Sequence, residues 1–522
     1  MATTRAPILH ADLTGGIETS LPSHLVPANQ WRTCHNMRPT PQLEQVPKKK
    51  VYLSGKFVVL TYISVIPNPV PGYGRLILFC TTNTRTIDDV VLASGMNTSG
   101  ELSRKSVITY DNKLFYVDAL NAVRQTDGNS DVALANAPSG KYLVEWYDHL
   151  VVGHPTFQNS TYPNRVMWSD LYDFSKWSPD ATNEADFYDF VNWQLFDYPF
   201  TGVTGLAKLR GLLYVFTPTA IIPLQYVGKP KVVQVLDSGV VTRVGNTFPY
   251  GLAVLDQVAF FYDHIERNFF AFDGQQVQPI GEPVRQYVLD HFSTDPALVS
   301  RLWTYINVNR REIWWVFDTG QTAGYDQAIV FNYRLKRWFT ASVEGYTAFC
   351  AGFAHEGFVR DLGGVVSALP GTVRDLGLGA VVPDVYGLPI GTLLRDEVAS
   401  DATNTLIAQE EPVLESGDFH YGDISTKKEV DAISINAWWN SVRDPGMKLE
   451  VRVSARDKIS TPVDWTDPTT LVGYWTQSLP EDWLNFPARS GKILRYRIKG
   501  VNARGLKVDA YEDSVYVKKA EK

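Results

Sequence analysis

The feature that most constrains this chain is a phrase it repeats: a few apolar residues, a short polar turn, then a run of aromatic and β-branched residues. It appears as Ile108-Thr109-Tyr110-Asp111-Asn112-Lys113-Leu114-Phe115-Tyr116-Val117 and as Val144-Glu145-Trp146-Tyr147-Asp148-His149-Leu150-Val151-Val152. It returns as Leu206-Ala207-Lys208-Leu209-Arg210-Gly211-Leu212-Leu213-Tyr214-Val215, and as Val254-Leu255-Asp256-Gln257-Val258-Ala259-Phe260-Phe261-Tyr262. A fifth copy is Ile306-Asn307-Val308-Asn309-Arg310-Arg311-Glu312-Ile313-Trp314-Trp315-Val316. Asp, Asn, Gly or a charge between two groups of strand formers is the chemistry of a hairpin turn. Each copy reads as the central hairpin of a repeated antiparallel unit. Apolar residues just after the turns, Leu114, Leu150, Leu213, Val258 and Ile313, are spaced by 36, 63, 45 and 55 residues. A solenoid would hold its period, so these steps predict four-stranded units that accept insertions, as β-propeller blades do.

A chain of 522 residues exceeds one compact core and suits a radial array plus a smaller domain. Its 14 Trp and 12% aromatic content exclude a disordered or linker-like polymer. The net charge of −7 offers no general attraction to nucleic-acid phosphates. Cys34, Cys80 and Cys350 are odd in number and lack CxxC spacing, which argues against a disulfide framework or a zinc site. No segment approaches the roughly 18 apolar residues of a bilayer span, and no secretory leader pattern opens the chain. Synthesis and folding in a cytoplasm, without membrane insertion, are the expectation.

The expected architecture is all-β: a β-propeller of about six blades with an extended N-terminal arm and a C-terminal β-sandwich. Residues 1–50 carry prolines at 7, 22, 27, 39, 41 and 47, which disfavour a long helix or a central strand. They read as an arm lying along other surfaces. Residues 51–412 form the propeller with long insertion loops. One insertion, 162–198, carries Trp168, Trp177 and Trp193 among six aspartates, and is either a docking loop or the irregular edge of one blade. After Pro283, Val284, Val288 and Phe292 recur at helical spacing and predict one short helix. Residues 413–522 alternate again, as a small sandwich would.

Chemistry-bearing motifs are fragmentary. Gly55-Lys56, Gly140-Lys141, Gly228-Lys229 and Gly491-Lys492 lack the Ser or Thr of a phosphate-binding loop, and His355-Glu356 lacks a second His. There is no GxSxG nucleophile elbow. Ser178-Pro179-Asp180 begins a sialidase-type turn, but no Gly follows. The six aspartates of 170–197 could offer a glycosidase carboxylate pair, and the same loop, or Asp127 and Asp131, could offer calcium oxygen ligands. Solvated loop and turn positions explain them more simply. The expectation is therefore no enzyme, no cofactor and no metal.

Three phrases of the arm carry a resemblance: Asp12-Leu13-Thr14-Gly15-Gly16-Ile17, Pro27-Ala28-Asn29-Gln30 and Asn36-Met37-Arg38-Pro39. With the hairpin series and Trp168-Ser169-Asp170-Leu171-Tyr172-Asp173-Phe174-Ser175-Lys176-Trp177-Ser178, the chain resembles the β-propeller tail nozzle, or head-to-tail stabilisation, proteins of short-tailed bacteriophages. The likeness covers roughly residues 10–350. It implies a non-enzymatic subunit of the virion tail, six copies ringed below portal and adaptor, tail fibre proteins as neighbours, and double-stranded DNA passing through the lumen without sequence-specific binding. The candidate interface residues are Asn29, Arg38, Trp168, Trp177 and Trp193. The alternative is a propeller-based carbohydrate-binding or glycan-degrading receptor-binding protein, motivated by the aromatic residues of 162–198.

Overall fold

The structure is a computed structural model. It describes residues 6–40, 42–46, 49–53, 60–67, 74–80, 83–86, 90–95, 105–190, 202–292, 302–308, 310–320, 325–350, 411–421, 427–438, 448–466, 469–472, 483–501 and 506–517, with short strands at 353–355, 373–375, 378–381 and 393–396. Trp193 and Asp197 lie outside the described residues.

The fold is all-β and propeller-like, built from successive antiparallel meanders in which neighbouring strands follow chain order. The first runs Leu60–Pro67, Gly74–Cys80, Asn83–Thr86 and Val91–Ser94, and the second Ser106–Tyr110, Lys113–Val117, Arg124–Thr126 and Asp131–Ala133. The third runs Tyr142–Trp146, His149–Gly153, Arg165–Trp168 and Asp186–Asp189. The fourth holds Gly205–Leu209, Leu212–Phe216, Ala220–Tyr226 and Val233–Val235, and the fifth Ala253–Leu255, Val258–Asp263, Asn268–Phe272 and Val277–Pro279. The last meander, Trp303–Asn307, Glu312–Phe317, Tyr325–Asn332 and Arg337–Cys350, continues into a larger sheet.

Each repeated phrase forms a hairpin as its residues predict, but the hairpin opens its sheet and is not central to it. Four of the turns are two-residue loops with both residues left-handed: Asp111-Asn112 (φ 47 and 56), Tyr147-Asp148 (49 and 57), Arg210-Gly211 (50 and 81) and Asp256-Gln257 (48 and 66). That backbone matches the right-handed twist of the flanking strands.

The unbroken apolar runs after the turns have a packing reason. Alternate residues of a strand point to opposite faces, and here each face meets a different neighbouring sheet. Leu114 and Tyr116 pack with Ile77 and Phe79 of the preceding sheet, while Phe115 and Val117 pack with Leu150, Val152 and Met167 of the next. In the fourth sheet, Leu213 and Val215 face the third while Tyr214 and Phe216 face the fifth. Tyr262 and Phe269 then join Trp315 and Trp338 in the largest core, with Phe269 4.7 Å from Trp315. Strands buried on both faces need no polar alternation. At the other end of the series, Leu60–Pro67 lies beside both Ser106–Tyr110 and Arg337–Cys350.

The expected helix is present as a 3-10 turn, Glu282–Val284, followed by Arg285–His291, with Val284 and Val288 buried. The N-terminal segment departs from expectation. Trp31–His35 is an interior strand, between Arg337–Cys350 and Val413–Ser416. Its prolines fall outside it, at 27 and 39, so the ladder donors are intact. Ala6–His10 pairs in full register with Lys507–Val517, and Leu43–Gln45 joins the same strand. That sheet also contains Lys428–Trp438 and Trp483–Gly491. Its apolar residues Val430, Ile433, Val508 and Tyr511 share one core with Leu449, Val451, Leu494 and Tyr496 of the larger sheet.

Candidate functional site: the docked arm

The three arm phrases that carry the resemblance converge on one seam. Asp12 caps its own turn, accepting from the Thr14 amide at 3.1 Å and hydroxyl at 2.9 Å, while the Asn29 amide donates to its other oxygen at 3.2 Å. These bonds hold the Asp12 carboxyl below its ordinary range. Leu13 and Ile17 point into the core, and the Trp31 indole donates to the Leu13 carbonyl at 2.8 Å. Gly16 adopts φ +78, and a β-carbon there would stand 2.6 Å from the Trp338 carbonyl oxygen. Only glycine supplies both that backbone and that clearance. Flanking it, the Ile17 amide donates to the Trp338 carbonyl at 2.8 Å and the Trp31 amide to the Gly16 carbonyl at 2.9 Å.

The third phrase docks next to the first. Asn36 is left-handed at φ 53, and its side-chain oxygen accepts from the Ser342 amide at 2.9 Å. Arg38 is buried and forks onto the fully buried Glu312, which also accepts from the Trp314 indole at 3.0 Å. Cys34 is fully buried, its thiol directed to the Met37 carbonyl, and burial pushes its pKa far up. That thiol is a packing group, not a nucleophile.

The same pattern recurs where the arm meets the C-terminal sheets. Ser23 and Arg456 both donate to Asp418, and Glu415 takes Arg495 at 2.6 Å and Arg497 at 2.5 Å. Buried Asp513 accepts from Tyr421 and lies 3.3 Å from His10, whose ring stacks on Tyr511 at 4.3 Å. Such buried pairs add little net stability over apolar packing, yet breaking one is expensive, so they fix which strands meet.

The candidate interface residues distribute as follows. Asn29 is part of the Asp12 turn. Arg38, Trp168 and Trp177 are only 3%, 3% and 1% exposed, so they serve internal packing and cannot anchor a neighbour in this conformation. The Trp168 indole donates to the Glu184 carbonyl at 2.9 Å and that of Trp177 to the Phe174 carbonyl at 2.8 Å. The aspartates around them are turn caps and ion pairs. Asp173 accepts from the Ser175 amide, Asp180 from the amides of Thr182 and Asn183, and Asp189 takes Arg165 at 2.7 and 2.6 Å. Asp127 likewise caps the amides of Asn129 and Ser130. Among the described residues, no three His, Cys, Asp or Glu side chains are grouped as a metal site would require.

Sequence reasoning missed a cleft of about 490 Å³ between the arm, the short helix and the last meander, lined in part by Arg32, His35, Tyr287, Asp290 and His291. The Arg32 guanidinium donates to the carbonyls of Thr19 and Leu21 at 2.9 and 2.8 Å, so its charge holds the arm's own backbone. No local signal foretells the cleft, because its walls are hundreds of residues apart in sequence.

No family model matches the chain, and no curated protein matches it. Among solved structures, PorZ, a bacterial surface component of the type-IX secretion system of Porphyromonas gingivalis, aligns at 8% identity over 69% of this chain and 39% of its own, with a TM-score of 0.33. The Pan2 WD40 domain of Neurospora crassa aligns at 8% identity over 57% of this chain and 90% of its own, TM-score 0.31. The extracellular domain of a hybrid two-component system from B. thetaiotaomicron aligns at 9% identity over 76% of this chain and 44% of its own, TM-score 0.36. Likenesses this distant carry no functional argument. Among the described residues no helix is long and apolar enough to cross a membrane.

Proposed function

We propose that the protein is a structural subunit of a short-tailed bacteriophage tail, forming a nozzle ring below portal and adaptor through which DNA leaves. The observation that carries this reading is the seam: the first and third arm phrases behind the resemblance, together with the adjoining Trp31, lock the arm into the last meander through Gly16, Trp31, Asn36 and Arg38, and the second phrase braces the first through Asn29. A signature made of docking residues, without a reactive group, suits a scaffold. The body is read as a six-bladed propeller, supported by the consecutive meanders and by the approach of Leu60–Pro67 to Arg337–Cys350. The facing sheets of the C-terminal region are read as a β-sandwich that borrows strands from the arm. The net charge of −7 suits a lumen that lets DNA slide without gripping phosphate.

The resemblance supplies the hexamer, the portal–adaptor and tail fibre contacts and the virion location. With Arg38, Trp168 and Trp177 internal, the ring contacts fall to other surfaces. Mass photometry and negative-stain imaging, with and without a cognate portal–adaptor complex, test the reading. Rings of six copies are expected. A chain that stays monomeric and never joins such a complex overturns it.

A further inference from the structure

Between the second and third meanders, beside the hairpin turns, a cleft of about 510 Å³ opens. Phe115 lies deepest, with Phe174 edge-on to it at 5.5 Å and Tyr110 edge-on to Phe174 at 5.7 Å. Asp111, Lys113 and Gln125 bring an anion, a cation and an amide to the same cleft. The remaining wall is Tyr172, which is 69% exposed.

Tyr172 is unusual for a residue in water. Its backbone is left-handed at φ 58, a conformation that costs a bulky L residue roughly 1–2 kcal/mol. Its amide donates to the Asp148 carbonyl at 3.1 Å, and the Asp148 carboxylate beside its hydroxyl holds the phenol's pKa above its ordinary value. That carboxylate accepts from the Tyr110 hydroxyl at 2.7 Å, so Asp148 ties the Tyr110 ring and the Tyr172 backbone to one residue. Burial does not compensate the strain, because the Tyr172 ring faces solvent. An exposed ring at a strained backbone position over a cleft is arranged for something outside the chain.

The lining selects the ligand. A pyranose offers a C–H face that packs on aromatic rings, and hydroxyls that donate to carboxylate and accept from ammonium and amide. An apolar peptide or lipid chain would leave Asp111 and Lys113 desolvated without partners. A phosphate-bearing ligand would meet the negative charge of Asp111 and Asp148. We propose that this cleft is a saccharide-binding subsite, with the Tyr172 ring as its stacking platform and Asp111, Lys113 and Gln125 reading the hydroxyls. Its volume falls in the range of about 300–1,000 Å³ usual for small-molecule sites. The inference stands apart from the tail reading, since a chain that never forms a ring can still carry the cleft.

The test uses the full chain on an array of defined oligosaccharides containing hexose, deoxyhexose, N-acetylhexosamine and uronic units, followed by calorimetry with the best free oligosaccharide. Tyr172→Ala should weaken binding about tenfold or more without moving the unfolding midpoint. Lys113→Met should weaken it several-fold, and Tyr172→Phe should retain most of it. Tyr147→Ala is the control, because Tyr147 is also exposed but stacks on Tyr226 at 5.1 Å, away from the cleft lining. An array without signal, binding indifferent to both Tyr172→Ala and Lys113→Met, or equal loss in Tyr147→Ala overturns the proposal.

Discussion

Gly16 and Gly95 adopt nearly the same left-handed backbone, φ +78 and +79, in opposite surroundings. A β-carbon on Gly16 would press on the Trp338 carbonyl oxygen at 2.6 Å, whereas one on Gly95 would meet nothing within 4 Å. Gly95→Ala therefore carries only the conformational cost, about 1 kcal/mol. Gly16→Ala carries that cost and also pushes the arm off its strand, stretching the 2.8 Å bond from Ile17 and the 2.9 Å bond flanking Trp31. Two such buried bonds at about 1 kcal/mol each separate the variants by about 2 kcal/mol, roughly thirtyfold in a local opening constant. Amide hydrogen exchange read by mass spectrometry on peptides covering 12–20 and 28–36 measures this directly. It also avoids irreversible thermal unfolding, which is common in chains of this size. The expected result is roughly thirtyfold faster exchange in both peptides for Gly16→Ala and little change there for Gly95→Ala. Equal acceleration in the two variants, or none in either, refutes the claim that the glycine phrase is a docking element.

Other outcomes follow from the same geometry. Glu312→Gln leaves the Arg38 guanidinium buried without its counter-charge and should cost about 3–5 kcal/mol in urea unfolding, much of it recovered in the Arg38→Met, Glu312→Leu double variant. Trp177→Ala removes a ring from the core between the second and third meanders and should destabilise by about 3–5 kcal/mol, whereas a mere docking ring would leave the unfolding midpoint in place. Lys105 is buried with its ammonium 3.8 Å from Asp118, and burial pushes its pKa down to about 8, against 10.5 when unfolded. Above about pH 8 the unfolded chain holds the proton that the folded chain has released, so this group makes stability rise with pH up to about 9.5, where tyrosines begin to titrate. Denaturant midpoints measured across that range should climb in the parent and stay flatter in Lys105→Met.

The legible part of this fold is the part written locally. Asp111-Asn112 and Asp256-Gln257 announce their hairpins because two-residue left-handed turns favour short polar residues that tolerate positive φ, and Val284 and Val288 announce the helix by spacing. The position of each hairpin within its sheet was less legible, because the third and fourth strands are short, such as Arg124–Thr126 and Asp131–Ala133, and carry few apolar residues. The arm was misleading for a different reason. Proline spacing describes what residues 1–50 cannot do locally, but the pairing of Trp31–His35 with strands beginning at 337 and 413 depends on partners far along the chain. Trp168 and Trp177 looked available because they sit among aspartates. Those acids turn out to cap the loop's own amides, and the folded loop tucks both indoles inward. Tyr172, the exposed ring between them, had no distinguishing mark in sequence, since its left-handed backbone is visible only in three dimensions.

The pairing of Ala6–His10 with Lys507–Val517 has a consequence for biosynthesis. A ribosome releases the first of these segments long before the second exists, so the early strand waits with its hydrogen-bonding edge bare while the meanders fold behind it. Contacts of such sequence separation form late and slowly, and a waiting edge is a template for pairing with the wrong chain. Nascent chains arrested before residue 507 should therefore associate with one another or recruit chaperones. Release of the last strand would be the event that renders the molecule safe from its own neighbours on the polysome.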